Sequence, residues 1–97
     1  MKSRTRKPTS PGEILREEYL RPLGLTQKAL AEHIDCDIKV VNRIVNGRSS
    51  VTAGLAVRLA AALGSTPEFW LNAQQAVDLY RAARGIKTLP KAIGRSA

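Results

Sequence analysis

Five times in this chain of 97 residues, a side chain able to cap a helix stands just ahead of an apolar pattern with helical spacing. Ser10 precedes Pro11, with Glu13 where a capping box wants it. Thr26 precedes QKALAEHI, in which Leu30 and Ile34 stand four apart. Asp37 precedes IKVVNRIVN, Thr52 precedes a stretch rich in Ala and Leu, and Thr66 precedes Pro67 and a long final segment. A Ser, Thr or Asp oxygen accepts a hydrogen bond from a backbone N–H that a helix start leaves without a partner, and proline suits the first helical position. Stops follow in step. Pro22 is predicted to end the first helix, because the residue before a proline is pushed out of the α region. Gly47 and Gly64 are predicted to end the third and fourth, and Gly85 to follow a fifth that runs to about Arg84. No segment alternates with period two over a useful length. The predicted fold is all-α, one compact five-helix domain over residues 10–84.

The flanks differ in kind. Residues 1–9 hold Met1 as their one large apolar side chain and are expected to form a disordered basic arm. Residues 85–97 are expected to form a flexible tail. The net charge of +8 points to a polyanionic partner, but residues 1–10 carry +4 and residues 85–97 carry +3. The middle, with nine basic and eight acidic residues, adds only +1. A nucleic-acid reading must therefore rest on how charge is arranged inside the folded part. No apolar run approaches the ~20 residues that span a bilayer, so no membrane association is expected. The basic N-terminus lacks an apolar segment behind it, and Cys36 is the single cysteine; both fit a cytoplasmic protein.

Two short helices, Gln27–Ile34 and Ile38–Asn46, separated by about three residues, make the helix-turn-helix arrangement. On a helical wheel Val41, Ile44 and Val45 share the inward side. Lys39, Arg43 and Asn46 lie opposite, flanked by Asn42 and Val40, and Arg48 follows the terminating glycine. That outer face carries no carboxylate. A helix lying in the major groove needs donors and acceptors for base edges and cannot turn carboxylates toward phosphates. The bland alternative is a solvated face, since two basic residues on nine are common; the helix ahead of it at the right spacing favours DNA.

The stretch LTQKALAEHIDCDIKVVNRIVNGR resembles the phage-repressor-like (XRE-type) helix-turn-helix domain. With its flanks PGEILREEYLRPLGLTQ, VNGRSSVTAGLAVRLAAALGSTPEFWLN and QQAVDL, the chain is similar to HigA-type antitoxins over about residues 10–80. The resemblance implies a five-helix antitoxin that binds double-stranded operator DNA as a homodimer and neutralises a RelE-like (HigB-type) mRNA endonuclease. It implies DNA-facing roles for Gln27, Lys28, Lys39, Val40, Asn42, Arg43, Asn46 and Arg48. Gln27, Asn46 and Arg48 are assigned mainly to phosphates, Lys39, Asn42 and Arg43 to base edges, and Val40 to a thymine methyl. The chain departs from the family pattern at Asp35, where the turn usually has glycine, at Ser49 and Ser50, where a second basic residue is frequent, and at Val77, where tyrosine is. Two other readings remain open: a stand-alone regulator without a toxin, and a protein that only masks a partner, its helix-turn-helix vestigial.

Other residues are weighed against plainer roles. One cysteine and one histidine, His33, make no metal ligand set, and no Ser/His/Asp grouping or glycine-rich phosphate loop exists, so neither cofactor nor catalysis is expected. Cys36 is expected to fill the core at the turn, and His33 to be solvated. Phe69 and Trp70 are both expected to seal the core from the first turn of the last helix. Ala73, Ala76, Val77 and Tyr80 on its later turns are the expected dimer stripe. Glu13, Glu17 and Glu18 make the first helix the main acidic cluster, read as solubility and dipole complementarity or, more sharply, as a docking face for a basic toxin.

Overall fold

The computed structural model describes residues Arg6–Gly94; the first five positions of the expected arm and the last three of the expected tail lie outside them. Helix α1 is continuous but not uniform: α-helical over Pro11–Ile14, π-helical over Leu15–Leu20, and α-helical again over Arg21–Leu23. There follow α2 (Gln27–His33), α3 (Ile38–Val45), α4 (Ala53–Leu63) and α5 (Pro67–Gly85). No strand occurs among the described residues. Residues 86–94 form no helix, and Ile86, Leu89 and Ile93 there are solvent exposed.

Each expected cap is made. Ser10 Oγ accepts from the Glu13 N–H (3.1 Å), Thr26 Oγ1 from Ala29 (3.0 Å) and Asp37 Oδ1 from Lys39 (2.8 Å). Thr52 Oγ1 accepts from Leu55 (3.3 Å) and Thr66 Oγ1 from Phe69 (3.1 Å). The helix ends share one device. A residue with positive φ at Gly24, Asp35, Gly47 and Gly64 reverses the chain. The next N–H then reaches back five residues: Leu25 to the Leu20 carbonyl (2.8 Å), Cys36 to Ala31 (2.9 Å), Arg48 to Arg43 (2.8 Å) and Ser65 to Ala60 (3.0 Å).

Pro22 does not end α1 as expected. Arg21, just before it, keeps right-handed helical dihedrals (φ −64°, ψ −53°), and its N–H bonds to the Arg16 carbonyl, five residues back. Proline breaks a helix by colliding with the carbonyl four residues earlier and by lacking an N–H. The wider π turn displaces the carbonyls from that register, so the ring is accommodated and the helix runs one turn further. Gly85 departs too: it is the last residue of α5 and lacks positive φ, while Ile86 after it is extended.

The core gathers Leu15, Leu30, Val41, Leu59 and Trp70, all essentially without solvent contact. Trp70 satisfies its indole N–H by donating to Ser65 Oγ (2.8 Å) and packs beside the ring of Tyr19 (5.6 Å between centroids). Phe69 is not a core residue. It is 39% exposed and lies edge-on against Trp70 (5.1 Å), because 100° of helical rotation carries it off the inward face. Gly12 lets α1 rest directly on the backbone of α3: a Cβ there would lie 2.0 Å from the Ile44 carbonyl oxygen and 2.8 Å from that of Val45. This contact fixes the pose of α3.

Candidate nucleic-acid interface

The side of α3 that faces the core is Val41, Ile44 and Val45, all buried. The opposite side presents Lys39, Asn42, Arg43 and Asn46, with Arg48 just beyond; all are exposed, and Val40 is half-buried at the flank. Lys28 is exposed on α2 and Gln27, at its first position, is half-buried. All eight residues predicted for DNA thus lie on α2, α3 or the loop that follows.

Three of them are joined. Asn42 Nδ2 donates to Gln27 Oε1 (3.1 Å), and Asn46 Nδ2 donates to Asn42 Oδ1 (3.2 Å). The row links the start of α2 to the end of α3 and holds the Asn42 carboxamide from both sides, leaving it one N–H and one lone pair. A base edge in the major groove offers complementary groups. The cations behave differently. The ion pairs among the described residues, Arg16–Glu17 and Arg21–Glu17, include none of Lys28, Lys39, Arg43 and Arg48. The face therefore combines preset amides with unpaired positive charge and no acid between them.

The turn behind this face is braced by a residue that sequence reasoning missed. Arg58 of α4 donates from one guanidinium nitrogen to the carbonyls of Ile34 (3.2 Å) and Asp35 (3.0 Å), placing a cation at the C-terminal end of α2. Asp35 itself adopts φ 58°, the conformation that three glycines adopt at the other turns. Its short polar side chain tolerates that region better than most. Cys36 is half-buried against the core, and burial pushes its thiol up from the usual range, with Asp37 and Asp35 adding to the shift and Arg58 opposing it. Gln74 was missed as well: buried in α5, its Oε1 accepts from the Val51 N–H (3.0 Å) and its Nε2 donates to Asp78 Oδ1 (3.0 Å), tying down the loop after α3. Nothing in local spacing signals the Arg58 contacts or that of Gln74 with Val51, since each joins residues more than twenty apart; only the Gln74–Asp78 bond is local.

The helix-turn-helix family matches residues 15–71. Antitoxin HigA-1 of Vibrio cholerae is 51% identical over 80 residues, covering 82% of this chain and 75% of that protein. The chain belongs to the HigA-type antitoxins of the helix-turn-helix family. Among solved structures, the Pseudomonas aeruginosa antitoxin HigA with the higBA promoter superposes with a TM-score of 0.79 at 33% identity, over 81% of this chain and 86% of that one. Antitoxin GraA in complex with its operator does so with a TM-score of 0.81 at 37% identity, over 97% and 99%. As a member of this family the chain is a DNA-binding regulator and not an enzyme.

The other antitoxin features predicted from sequence divide. On α5, Ala73, Ala76 and Tyr80 are half-buried, but Val77 is 3% exposed, its side chain turned in toward the start of α1 rather than outward. Trp70, Gln74 and Val77 are the buried residues of α5, so the helix spends Val77 on its own protomer. Phe69, Ala73, Ala76 and Tyr80 follow one another at helical spacing on a different face, where the Arg84 guanidinium lies 5.5 Å from the Tyr80 ring centre. On α1, Glu13 and Glu18 are exposed, whereas Glu17 bonds Arg16 Nε (2.8 Å) and Arg21 Nη1 (3.0 Å), and the Arg16 hydrogen bond, chiefly, holds its carboxyl below the usual range. No helix among the described residues is long and apolar enough to cross a membrane.

Proposed function

We propose that this chain is a homodimeric antitoxin of the cytoplasm that represses its own operon by binding operator DNA and neutralises a RelE-like (HigB-type) mRNA endonuclease. The observation that carries the DNA part is the α3 face: the Gln27–Asn42–Asn46 row flanked by Lys39 and Arg43, neither of them in an ion pair among the described residues. In this reading Lys39, Asn42 and Arg43 read base edges, Val40 meets a thymine methyl, and Gln27, Lys28, Asn46 and Arg48 hold phosphates. The relatives solved with promoter and operator DNA support it.

One recognition helix covers too little DNA for tight binding, so two copies pair about a two-fold axis and set their α3 helices roughly 34 Å apart. The pairing face is the α5 stripe of Ala73, Ala76 and Tyr80, extended by the half-exposed Phe69; Val77 supports it from beneath. The toxin, a basic protein, docks on α1 at Glu13 and Glu18. Glu17 adds less there, since Arg16 and Arg21 already offset its charge.

Fluorescence anisotropy with the DNA upstream of the chain's own gene, against a scrambled duplex of equal length, tests the reading. We expect a preference of at least tenfold, with two chains bound per site. Equal affinity for both duplexes would remove the autorepressor. Ribosome-dependent mRNA cleavage by the product of the neighbouring reading frame, unaffected by this chain at stoichiometric excess, would remove the toxin partner and leave a stand-alone regulator.

A further inference from the structure

Beyond the end of α3 lies a cavity of about 90 Å³ whose lining includes Arg48, Arg81 and the hydroxyl-bearing Ser10, Ser49 and Ser50. A second hollow beside it, about 310 Å³, again includes Arg81 and adds Lys7, Arg16, Asn46 and the single acid Glu13. The arrangement brings together three segments far apart in sequence: the arm before α1, the loop after α3, and the stretch of α5 that carries Val77 and Arg81. Arg81 belongs to the helix assigned to pairing, and Lys7 to the arm; neither was counted among the DNA-facing residues. Lys7, Arg48 and Arg81 are exposed and take part in neither ion pair seen among the described residues.

Arg48 and Arg81 both line this hollow and no carboxylate does, so it offers positive charge that an anion would complement. Hydroxyls and guanidinium N–H groups are the donors that phosphate oxygens accept from. The hollow also adjoins Asn46 and Arg48, the residues at which the DNA backbone would leave the recognition helix. We propose that Arg81, with Arg48 and with Lys7 at the margin, forms a seat for a DNA backbone phosphate, so that α5 contributes to DNA binding as well as to pairing. The proposal rests on the operator-binding reading and adds a residue to it. Its ligand is a phosphodiester group of duplex DNA, and the seat carries no sequence preference.

The full-length chain and its Arg81→Ala, Arg48→Ala and doubly substituted forms would be titrated with operator and random duplexes at several salt concentrations. Each phosphate contact contributes about 0.9 to the slope of log affinity against log salt, which at 0.15 M salt is about fivefold in affinity. Arg81→Ala should lose about that factor on both duplexes alike and flatten the slope accordingly. The double substitution should lose less than the product of the two single losses, because the arginines share one phosphate. Placing neutral methylphosphonates one at a time along the operator should reveal a position that weakens the unsubstituted protein but not Arg81→Ala. Arg21→Ala, on α1 and paired with Glu17, should change none of this.

An Arg81→Ala form with unaltered salt slope and affinity overturns the seat; if Arg43→Ala still loses operator preference, the operator-binding reading survives it. Loss of the dimer in Arg81→Ala by sedimentation at assay concentration also overturns it, since Arg81 would then act through pairing. So does inorganic phosphate that stabilises the free protein through Arg81 while DNA affinity is indifferent to that residue, because the hollow would then serve a free anion. Should the unsubstituted chain fail to prefer the operator but still bind random duplex, the operator-binding reading falls while the phosphate seat is judged on the random duplex.

Discussion

Helices α1 and α3 both turn charged side chains toward solvent, and they settle that charge in opposite ways. On α1 the carboxylate of Glu17 bridges Arg16 and Arg21, so a surface rich in charge is largely neutralised within one helix. On α3 the contacts between side chains are made by neutral amides, Gln27 to Asn42 to Asn46, while the side chains of Lys39 and Arg43 join no ion pair among the described residues. An exposed pair such as those on α1 contributes little to stability. An unpaired cation beside a preset amide costs the free protein little, and it keeps its full charge for a phosphate or a base edge. The difference separates a solvated face from a binding face better than net charge does.

The largest effect should come from breaking what holds the two helices together. Gly12→Ala sets a Cβ at 2.0 Å from the Ile44 carbonyl, where backbone cannot yield as a side chain could. Overpacking of this kind costs about 1–3 kcal/mol, occasionally more, which is a fall in Tm on the order of 15 °C for a domain this size. Thermal unfolding by circular dichroism measures it, and operator affinity should drop with it because α3 loses its pose. A Tm within a degree or two of the unsubstituted chain would mean that α1 and α3 can part without cost.

Next comes the contrast itself, Arg43→Ala against Arg21→Ala. The first should cost on the order of 1–3 kcal/mol at the operator, with little loss on random DNA. The second, taken from the paired helix, should leave both affinities within about twofold. Equal losses from the two substitutions would show that charge, wherever it sits, governs binding. Arg58→Ala should fall lower on the scale: two hydrogen bonds from a cation to the turn carbonyls are lost, at about 1–2 kcal/mol of stability. The turn between α2 and α3 would then exchange its amide protons faster than the rest of both helices.

The helix starts were legible because a cap joins residues two or three apart, within reach of local spacing, and each predicted cap forms. The inner face of α3 was legible for the same reason, as Val41, Ile44 and Val45 repeat with the helical period. Non-local packing decided the rest. Pro22 passes into a helix because of a π turn whose register no residue type announces. Val77 and Phe69 exchange expected places, since which side of α5 meets α1 depends on how the helices cross. Arg58 and Gln74 act on backbone groups more than twenty residues away, and in sequence they look like any surface arginine and glutamine.

The smallest expected effect tests whether pairing alone keeps α1 from binding DNA. Protonating Glu17, or replacing it by Gln, frees Arg16 and Arg21 and makes α1 resemble α3 in its unpaired charge. Arg16 lowers the Glu17 pKa in the folded chain. Its ion pairs therefore contribute above the unfolded carboxylate pKa and are lost as pH falls through the depressed folded value. Glu17 lies at the surface, so screening leaves that contribution small, and at pH 7 Glu17→Gln should melt with the unsubstituted chain. Operator preference should not change, because Arg21 makes no hydrogen bond to the amide row and Arg16, which shares a hollow with Asn46, would meet backbone phosphates rather than base edges. Random-duplex affinity should rise by less than about twofold at low salt and by nothing measurable at 0.15 M, where the Debye length is about 8 Å. A rise on random DNA that persists at that salt would place α1 within reach of the phosphates. Pairing would then be what holds α1 off DNA, and the unpaired state of Lys39 and Arg43 would distinguish α3 only by degree.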